Sequence, residues 1–342
     1  MKILVTGGTG FLGAHLLPLL LEDGHTVRLI GRTAPSGELP KGVEFLQGDL
    51  KDRALVRAAL EEIDAVYHLA GRVSFRNKDA RQMYELHVDC TREMLRDIGK
   101  MEKKPRFILM STSGAIAVSK EECTLNEEAD YPLEVVGRWP YYLSKIYEEK
   151  LTLELCRKYE IPLVVLNPSL LMGPGDERLS STWTVAKFLQ GDIPSLPGGG
   201  ISIADVRDVA QVSFNALRAG ELYGRHLIGV NLSMKDFFER VSRLSGVAMP
   251  VFELPKQLNI WGAKLLGKWA TWRGQEPTLD AQEVEIGEHW FWLDSQKAER
   301  LLNYRPRDVY ETLQDTIAFI LQRMPPGKLP GTKGKLEKLR DN

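Results

Sequence analysis

Four glycines, Gly7, Gly8, Gly10 and Gly13, stand between a short apolar run, Lys2–Val5, and a mostly apolar segment at helical spacing, Phe11–Glu22. Such a chain must turn sharply from a strand into a helix, and glycine supplies the positive φ that the turn needs. The missing side chains also open the backbone N–H groups at the helix N-terminus, where the dipole favours an anion. The string fits both Gly-x-Gly-x-x-Gly (Gly8, Gly10, Gly13) and Thr-Gly-x-x-Gly-x-x-Gly (Thr6, Gly7, Gly10, Gly13). After a strand and before a helix, it reads as a cradle for the pyrophosphate of a dinucleotide.

The end of the second strand, Thr26–Ile30, discriminates between dinucleotides. An NAD site usually places an acid there, about 20 residues past the glycines, to accept from the ribose hydroxyl. This chain has Gly31-Arg32-Thr33 and no acid until Glu38. A guanidinium suits a 2′-phosphate through charge-assisted hydrogen bonds, so NADP(H) is expected. The alternative is that Arg32 stacks on the adenine and tolerates NAD as well.

The 342 residues suffice for one large domain or a domain with a smaller lobe. A net charge of −1 gives no electrostatic case for nucleic acid or an anionic membrane as partner. Cys90, Cys123 and Cys156 match neither a zinc pattern nor a disulfide framework, so reduced thiols and no metal are expected. With strand one starting at residue 2, no secretory leader is read, and a cytoplasmic enzyme is expected. No apolar stretch reaches transmembrane length without charge. Residues 258–272 are amphipathic, with Trp261, Leu265, Leu266 and Trp269 at helical spacing. They read as a core-facing or pocket-lining helix, with peripheral membrane contact as the alternative.

Strand patterns at Lys2–Val5, Thr26–Ile30, Val43–Leu46, Ala65–Leu69, Arg106–Ser111 and Leu163–Asn167 alternate with helical ones at Phe11–Glu22, Asp52–Glu61, Ala80–Lys100 and Tyr141–Tyr159. Repeated βα units predict an α/β fold with a doubly wound parallel sheet whose ligands sit at the carboxyl ends of its strands. Residues 1–171 are assigned to a dinucleotide-binding domain. Residues 172–292, rich in Pro and Gly loops, form mainly an interleaved substrate-binding lobe. Closing helices fill 293–324, and a Pro/Gly/Lys-rich tail, 325–342, reads as mobile.

Tyr141 and Lys145 stand four residues apart, on one face of the last helix of the first half. Pro140 suits a helix start there. A phenol titrates near 10, and a neighbouring ammonium is expected to lower that value toward working pH. Such a phenol can give a proton to, or take one from, a carbinol oxygen. The strand before it ends in Ser111-Thr112-Ser113; Ser113, beyond the strand end, is the candidate that reaches a ligand. The alternative for all three hydroxyls is backbone capping in a turn.

With these motifs the chain resembles the extended short-chain dehydrogenase/reductases. The resemblance spans residues 1–323 and rests on TGGTGFLG (6–13), QGDL (47–50), VYHLAG (66–71), Ser113–Tyr141–Lys145, LNPSLLMGPGD (166–176), ADVRDVA (204–210) and FWLDSQKAERLLNYRPRD (291–308). It looks most like the dihydroflavonol reductase and 3β-hydroxysteroid dehydrogenase branch. The resemblance implies that Gly7, Thr9, Gly10, Phe11, Leu12 and Gly13 hold the pyrophosphate, with Arg32 beyond them. It places Asp49 and Leu50 at the adenine, Ala70 and Gly71 near the nicotinamide ribose, and Pro168 and Ser169 at the nicotinamide amide. It makes Tyr141 the acid/base and Lys145 its partner and a ribose ligand, while Ser113 orients the substrate oxygen. A homodimer is usual among relatives. Three positions depart from the family pattern: His87 stands for an Asn, Cys90 for a glycine, and Asn167 for an Arg.

All seven tryptophans lie at or after Trp139. Trp139, Trp183, Trp261, Trp269, Trp272, Trp290 and Trp292 are read partly as cleft lining for a hydrophobic small-molecule substrate and partly as core. Arg178, Arg207 and Arg273 are the cations available to a second pyrophosphate, and they form no tight pair. The expected activity is therefore NADP(H)-dependent interconversion of a ketone and a secondary alcohol. A sugar-nucleotide epimerase or dehydratase is the alternative. A non-catalytic sensor on the same fold is the third reading, opposed by the Tyr141/Lys145 pair.

Overall fold

The computed structural model describes residues 1–35, 37–250, 252–253, 256–272 and 281–323. The tail assigned to 325–342 and Arg273 lie outside them. The first half runs β1 (Lys2–Thr6), α1 (Phe11–Glu22), β2 (Thr26–Gly31), β3 (Val43–Gln47), α2 (Arg53–Leu60) and β4 (Ala65–His68). Then come α3 (Ala80–Tyr84), a π-helical turn (Glu85–Cys90), α4 (Thr91–Ile98), β5 (Arg106–Met110), α5 (Leu133–Val136), α6 (Pro140–Tyr159) and β6 (Leu163–Pro168). The second half runs β7 (Leu170–Met172), α7 (Trp183–Gln190), β8 (Ser195–Leu196), β9 (Gly200–Asp205), α8 (Val206–Asn215), β10 (Arg225–Ile228) and β11 (Val230–Ser233). It ends with α9 (Met234–Ser245), β12 (Phe252–Glu253), α10 (Lys256–Trp272), α11 (Ala281–Gly287), α12 (Gln296–Leu302) and α13 (Val309–Arg323).

The central sheet has seven parallel strands in the order β3-β2-β1-β4-β5-β6-β10. Successive strand residues face opposite sides, so β1 feeds two cores. Ile3 and Val5 pack with Leu12, Leu16 and Leu20 of α1 and Val209 and Val212 of α8. Leu4 faces Val56 and Leu60 of α2, Leu95 of α4 and Leu155 of α6. Helices on both faces explain why β6 is buried along its whole length. Strand order reverses between β1 and β4, which opens a crevice beyond their carboxyl ends.

Two features differ from the sequence reading. Ala80–Lys100 is no continuous α-helix, because Glu85–Cys90 widens into a π-turn that brings His87 inside, with no solvent exposure. Such turns recur at functional sites. The seventh strand, β10, was not expected: four residues carry too short a pattern, and its parallel pairing with β6 is a tertiary event.

The segment 172–292 is interwoven with the sheet. Its α8 and β10 complete the main body, whereas β7, β9 and β11 form a second sheet. That sheet and α7, α9 and α13 share a separate core around Met172, Val185, Ile203, Phe237 and Ile317. Of the closing helices, α12 therefore joins the first core through Ala298 and Leu302, and α13 the second. On α10, Leu258, Trp261, Leu265 and Trp272 are more than half exposed, while Leu258, Asn259 and Gly262 also edge the cleft described next. The side chains of Leu266 and Trp269 lie outside the described residues. No described helix is long and apolar enough to cross a membrane.

Candidate active site

One cleft of about 2060 Å³ runs from the glycine turn to the second sheet. A single small-molecule pocket takes about 300–1,000 Å³, so the cleft has room for a dinucleotide and a substrate together. Every residue nominated from the sequence lines it: Gly7, Thr9, Gly10, Phe11, Leu12, Gly13, Arg32, Asp49, Leu50, Ala70, Gly71, Ser113, Tyr141, Lys145, Pro168 and Ser169.

The cradle is built by close backbone approach. Gly7 has φ +72°, and a Cβ there would lie 2.7 Å from Ala70 N. A Cβ on Gly13 would lie 2.5 Å from Gly8 Cα, so α1 is pressed against the turn. Among the described residues no side chain caps α1, and its first turn carries no acid. Its N-terminal N–H groups therefore remain oriented for an anion. Arg32 is exposed at the end of β2. Its backbone carbonyl accepts from Gln47 Nε2 at 3.3 Å, and among the described residues its guanidinium bonds no protein group. At the far end, Ser169 Oγ is buried with no hydrogen-bond partner among the described residues. An orphaned hydroxyl, a free guanidinium and a side-chain-free cradle along one cleft fit an NAD(P) dinucleotide. Among the described residues no group of three His, Cys, Asp or Glu could hold a metal ion.

Tyr141 and Lys145, the candidate acid/base pair, sit on α6, which starts at Pro140 as expected. Lys145 is buried; its Nζ donates to Met110 O at 2.7 Å and pairs with Glu148. The electrostatics correct the sequence reading. The Tyr141 phenol is not made more acidic: burial pushes its pKa up, the Glu148 carboxylate adds to that, and the Thr112 side chain opposes it. The ammonium that should have lowered it is paired with Glu148.

The three hydroxyls after β5 divide their roles. Ser111 donates to Glu149 Oε2 at 2.5 Å. Thr112 caps the following turn by accepting from Gly114 N at 3.3 Å. Ser113 lines the cleft, and its hydroxyl has no hydrogen-bond partner among the described residues. The neighbouring phenol, Tyr142, packs between Trp139 and Phe291.

Glu148 and Glu149 were missed in the sequence. Glu149 is a hub that accepts from Ser111, Tyr131 (3.2 Å), Asn167 Nδ2 (2.7 Å) and Arg225 Nε (2.8 Å). Their signal was present: Ser144, Lys145, Glu148, Glu149 and Thr152 make a polar stripe at helical spacing, and all are buried. His87 is a packed histidine with a defined role. Its Nε2 accepts Arg72 N–H at 3.0 Å, so Nδ1–H donates to Ser144 Oγ at 2.9 Å, and that hydroxyl donates to Tyr141 O at 2.7 Å. Burial lowers its pKa well below the usual value, which keeps it neutral.

Of the tryptophans, Trp183 lines the cleft, Trp139 is fully buried, and Trp290 and Trp292 pack edge-on at 4.6 Å. Arg207 is not available to a ligand, because Asp205 and Asp315 hold it at 2.7 Å each.

A parallel sheet with its crevice at the glycine turn, and a Tyr/Lys pair on the helix beside it, define an NAD(P)-dependent enzyme of the extended short-chain dehydrogenase/reductase class. The sequence pattern of the NAD dependent epimerase/dehydratase family matches residues 3–229, and the chain belongs to that family. It is 27% identical over 322 residues to a putative dihydroflavonol 4-reductase of Synechocystis sp., covering 92% of each chain. It is 27% identical over 330 residues to sterol demethylase protein B of Methylococcus capsulatus, covering 94% of this chain and 99% of that one. A UDP-glucuronic acid 4-epimerase from Bacillus cereus, solved with UDP-glucuronic acid and NAD, has the same fold: TM-score 0.73 at 22% identity, over 95% of this chain and 100% of that one.

Proposed function

We propose that this enzyme prefers NADP(H) and interconverts a ketone and a secondary alcohol on a lipophilic substrate. The observation that carries the reading is the single cleft in which the Arg32 guanidinium, the Tyr141 phenol and the Ser113 hydroxyl meet an apolar wall, the first and last without a hydrogen-bond partner among the described residues. Val73, Phe75, Leu171, Met234, Phe238 and Phe291 form that wall. Two relatives that match nearly the whole chain are named for a flavonoid and a sterol reaction, which agrees with an apolar substrate.

A bound nicotinamide supplies or takes the hydride. The protein handles the oxygen. Tyr141 Oη gives its proton to the carbonyl oxygen as that atom gains charge, and Ser113 Oγ donates a hydrogen bond to the same atom. In the oxidising direction the phenol oxygen takes the proton back. Lys145 and the α1 N-terminus would hold the cofactor's ribose and pyrophosphate.

The test is a panel of sterols, flavanonols, β-keto acyl compounds and nucleotide sugars, read by cofactor absorbance and mass spectrometry. With a substrate in hand, Tyr141→Phe should keep cofactor affinity and lower turnover by roughly 10²–10⁴. Normal turnover by Tyr141→Phe would overturn the assignment. Arg178 favours a second reading: it lines the cleft, and its guanidinium has no partner among the described residues. A UDP-sugar converted with no net change in cofactor absorbance would establish an epimerase instead.

A further inference from the structure

Lys145 is held from behind. Glu148, one turn later on α6, pairs with its ammonium; the two side chains are 5% and 0% exposed. Glu148 does not line the cleft, so no ligand there can take Lys145's place beside it. It ends a chain of hydrogen bonds whose direction can be read. Thr91 Oγ1 donates to Glu148 Oε1 at 3.3 Å, which uses its one proton. His68 Nε2–H must then donate to Thr91 Oγ1, at 2.8 Å. His68 Nδ1 accepts from Thr6 Oγ1 at 2.9 Å, and Thr6 Oγ1 accepts Ala70 N–H at 3.3 Å. One neutral tautomer of His68 satisfies every member. The chain starts at the two backbone segments that meet at Gly7 and ends on the acid/base pair.

Among the described residues few other charges bear on this pocket. Glu149, the next residue, turns to Ser111, Asn167 and Arg225. His68 faces Glu148 at 3.7 Å, and burial lowers its pKa to about 3, so it is neutral. Around the phenol stand Tyr142, neutral His87 and Thr112. Beyond burial, which raises its pKa, the charges set to act on Tyr141 are therefore one carboxylate, Glu148, and the ammonium paired with it. An unbalanced ammonium one helical turn away favours phenolate. Glu148 removes that bias.

We propose that Glu148 is a positioning residue for the reaction: fixed by the Thr6–His68–Thr91 chain, it seats Lys145 against Met110 O and keeps Tyr141 a proton donor, so that the free site waits in the form that reduces a carbonyl. The inference rests on the reading of Tyr141 and Lys145 as the acid/base pair. Glu148 leaves the reaction equilibrium unchanged; it sets the pH range in which each direction runs.

The titration itself needs neither substrate nor cofactor. Protein carrying [¹³Cζ]tyrosine is titrated by NMR, with Tyr141→Phe assigning the resonance. In the native protein Tyr141 should stay un-ionised past the ordinary tyrosine midpoint of about 10. In Glu148→Gln the midpoint should fall by about one unit or more, and Glu148→Asp, which keeps the charge, should restore it. A merely structural role would lower the melting temperature of Glu148→Gln without moving the resonance, and that result overturns the proposal. So does a native midpoint below about 8, a measurement that stands even if no Glu148 variant folds. The two readings fail separately. An unmoved resonance beside an inactive Tyr141→Phe removes the role of Glu148 alone, whereas an active Tyr141→Phe removes the acid/base pair itself.

Discussion

Replacing Arg32 separates NADPH from NADH by an amount the structure lets one work out. The guanidinium is exposed, and among the described residues it bonds no protein group. Its removal therefore breaks nothing in the fold, and the melting temperature of Arg32→Ala should match the native protein. A charge-assisted hydrogen bond is worth about 1.5–3 kcal/mol, and solvent screening at an exposed site points to the lower end. A loss of about 1.5–2 kcal/mol corresponds to roughly a 10–30-fold weaker Kd for NADPH. Arg32→Asp adds repulsion against the 2′-phosphate and should reach about 100-fold. NADH lacks that phosphate, so its Kd should change by no more than about twofold in Arg32→Ala. Isothermal titration of both cofactors against the three proteins measures all of this, and raising salt should narrow the gap. Equal native affinity for the two cofactors, or equal losses in Arg32→Ala, would refute the reasoning and return Arg32 to adenine stacking.

Other outcomes follow from the cradle and the buried histidines. Gly7→Ala should cost about 2–4 kcal/mol of stability by denaturant unfolding and abolish tight NADPH binding, since it combines φ +72° with a Cβ 2.7 Å from Ala70 N. Gly24→Ala is its control: φ is +77° with nothing within 4 Å, so backbone strain alone should cost about 1–2 kcal/mol and leave cofactor affinity intact. Stability should also fall on acidification. Burial depresses the pKa of His68 to about 3 and of His226 to about 4. The unfolded chain therefore binds more protons below about 6.5, and unfolding free energy should drop by about 1.4 kcal/mol per pH unit for each histidine down to its native value. Burial also raises the pKa of Glu148, which acts in the opposite sense. His226→Gln should therefore flatten the slope measured from pH 6 to pH 4.5.

The sequence alone determined most of the fold of the chain's first half. Strands with helical patterns between them, glycines at 7, 8, 10 and 13, and a Tyr–Lys pair at helical spacing are local features, and local sterics translate them directly into a βα turn and a helix face. That is why six of the seven strands of the central sheet, the helix start at Pro140 and every nominated lining residue were legible. What the tertiary structure decided lies wherever distant segments meet. β10 is four residues long and becomes a strand by pairing with β6. The π-turn at Glu85–Cys90 carries no composition signal, yet it turns His87 into the link between Arg72 and Ser144. Arg207 looked like a free cation until Asp315, over a hundred residues away, was found holding it. The sharpest difference is electrostatic. Spacing put an ammonium beside the Tyr141 phenol, but only the packed structure showed that ammonium paired with Glu148. The charge felt by a buried group is a sum over everything folded around it, and no interval along the chain contains that sum.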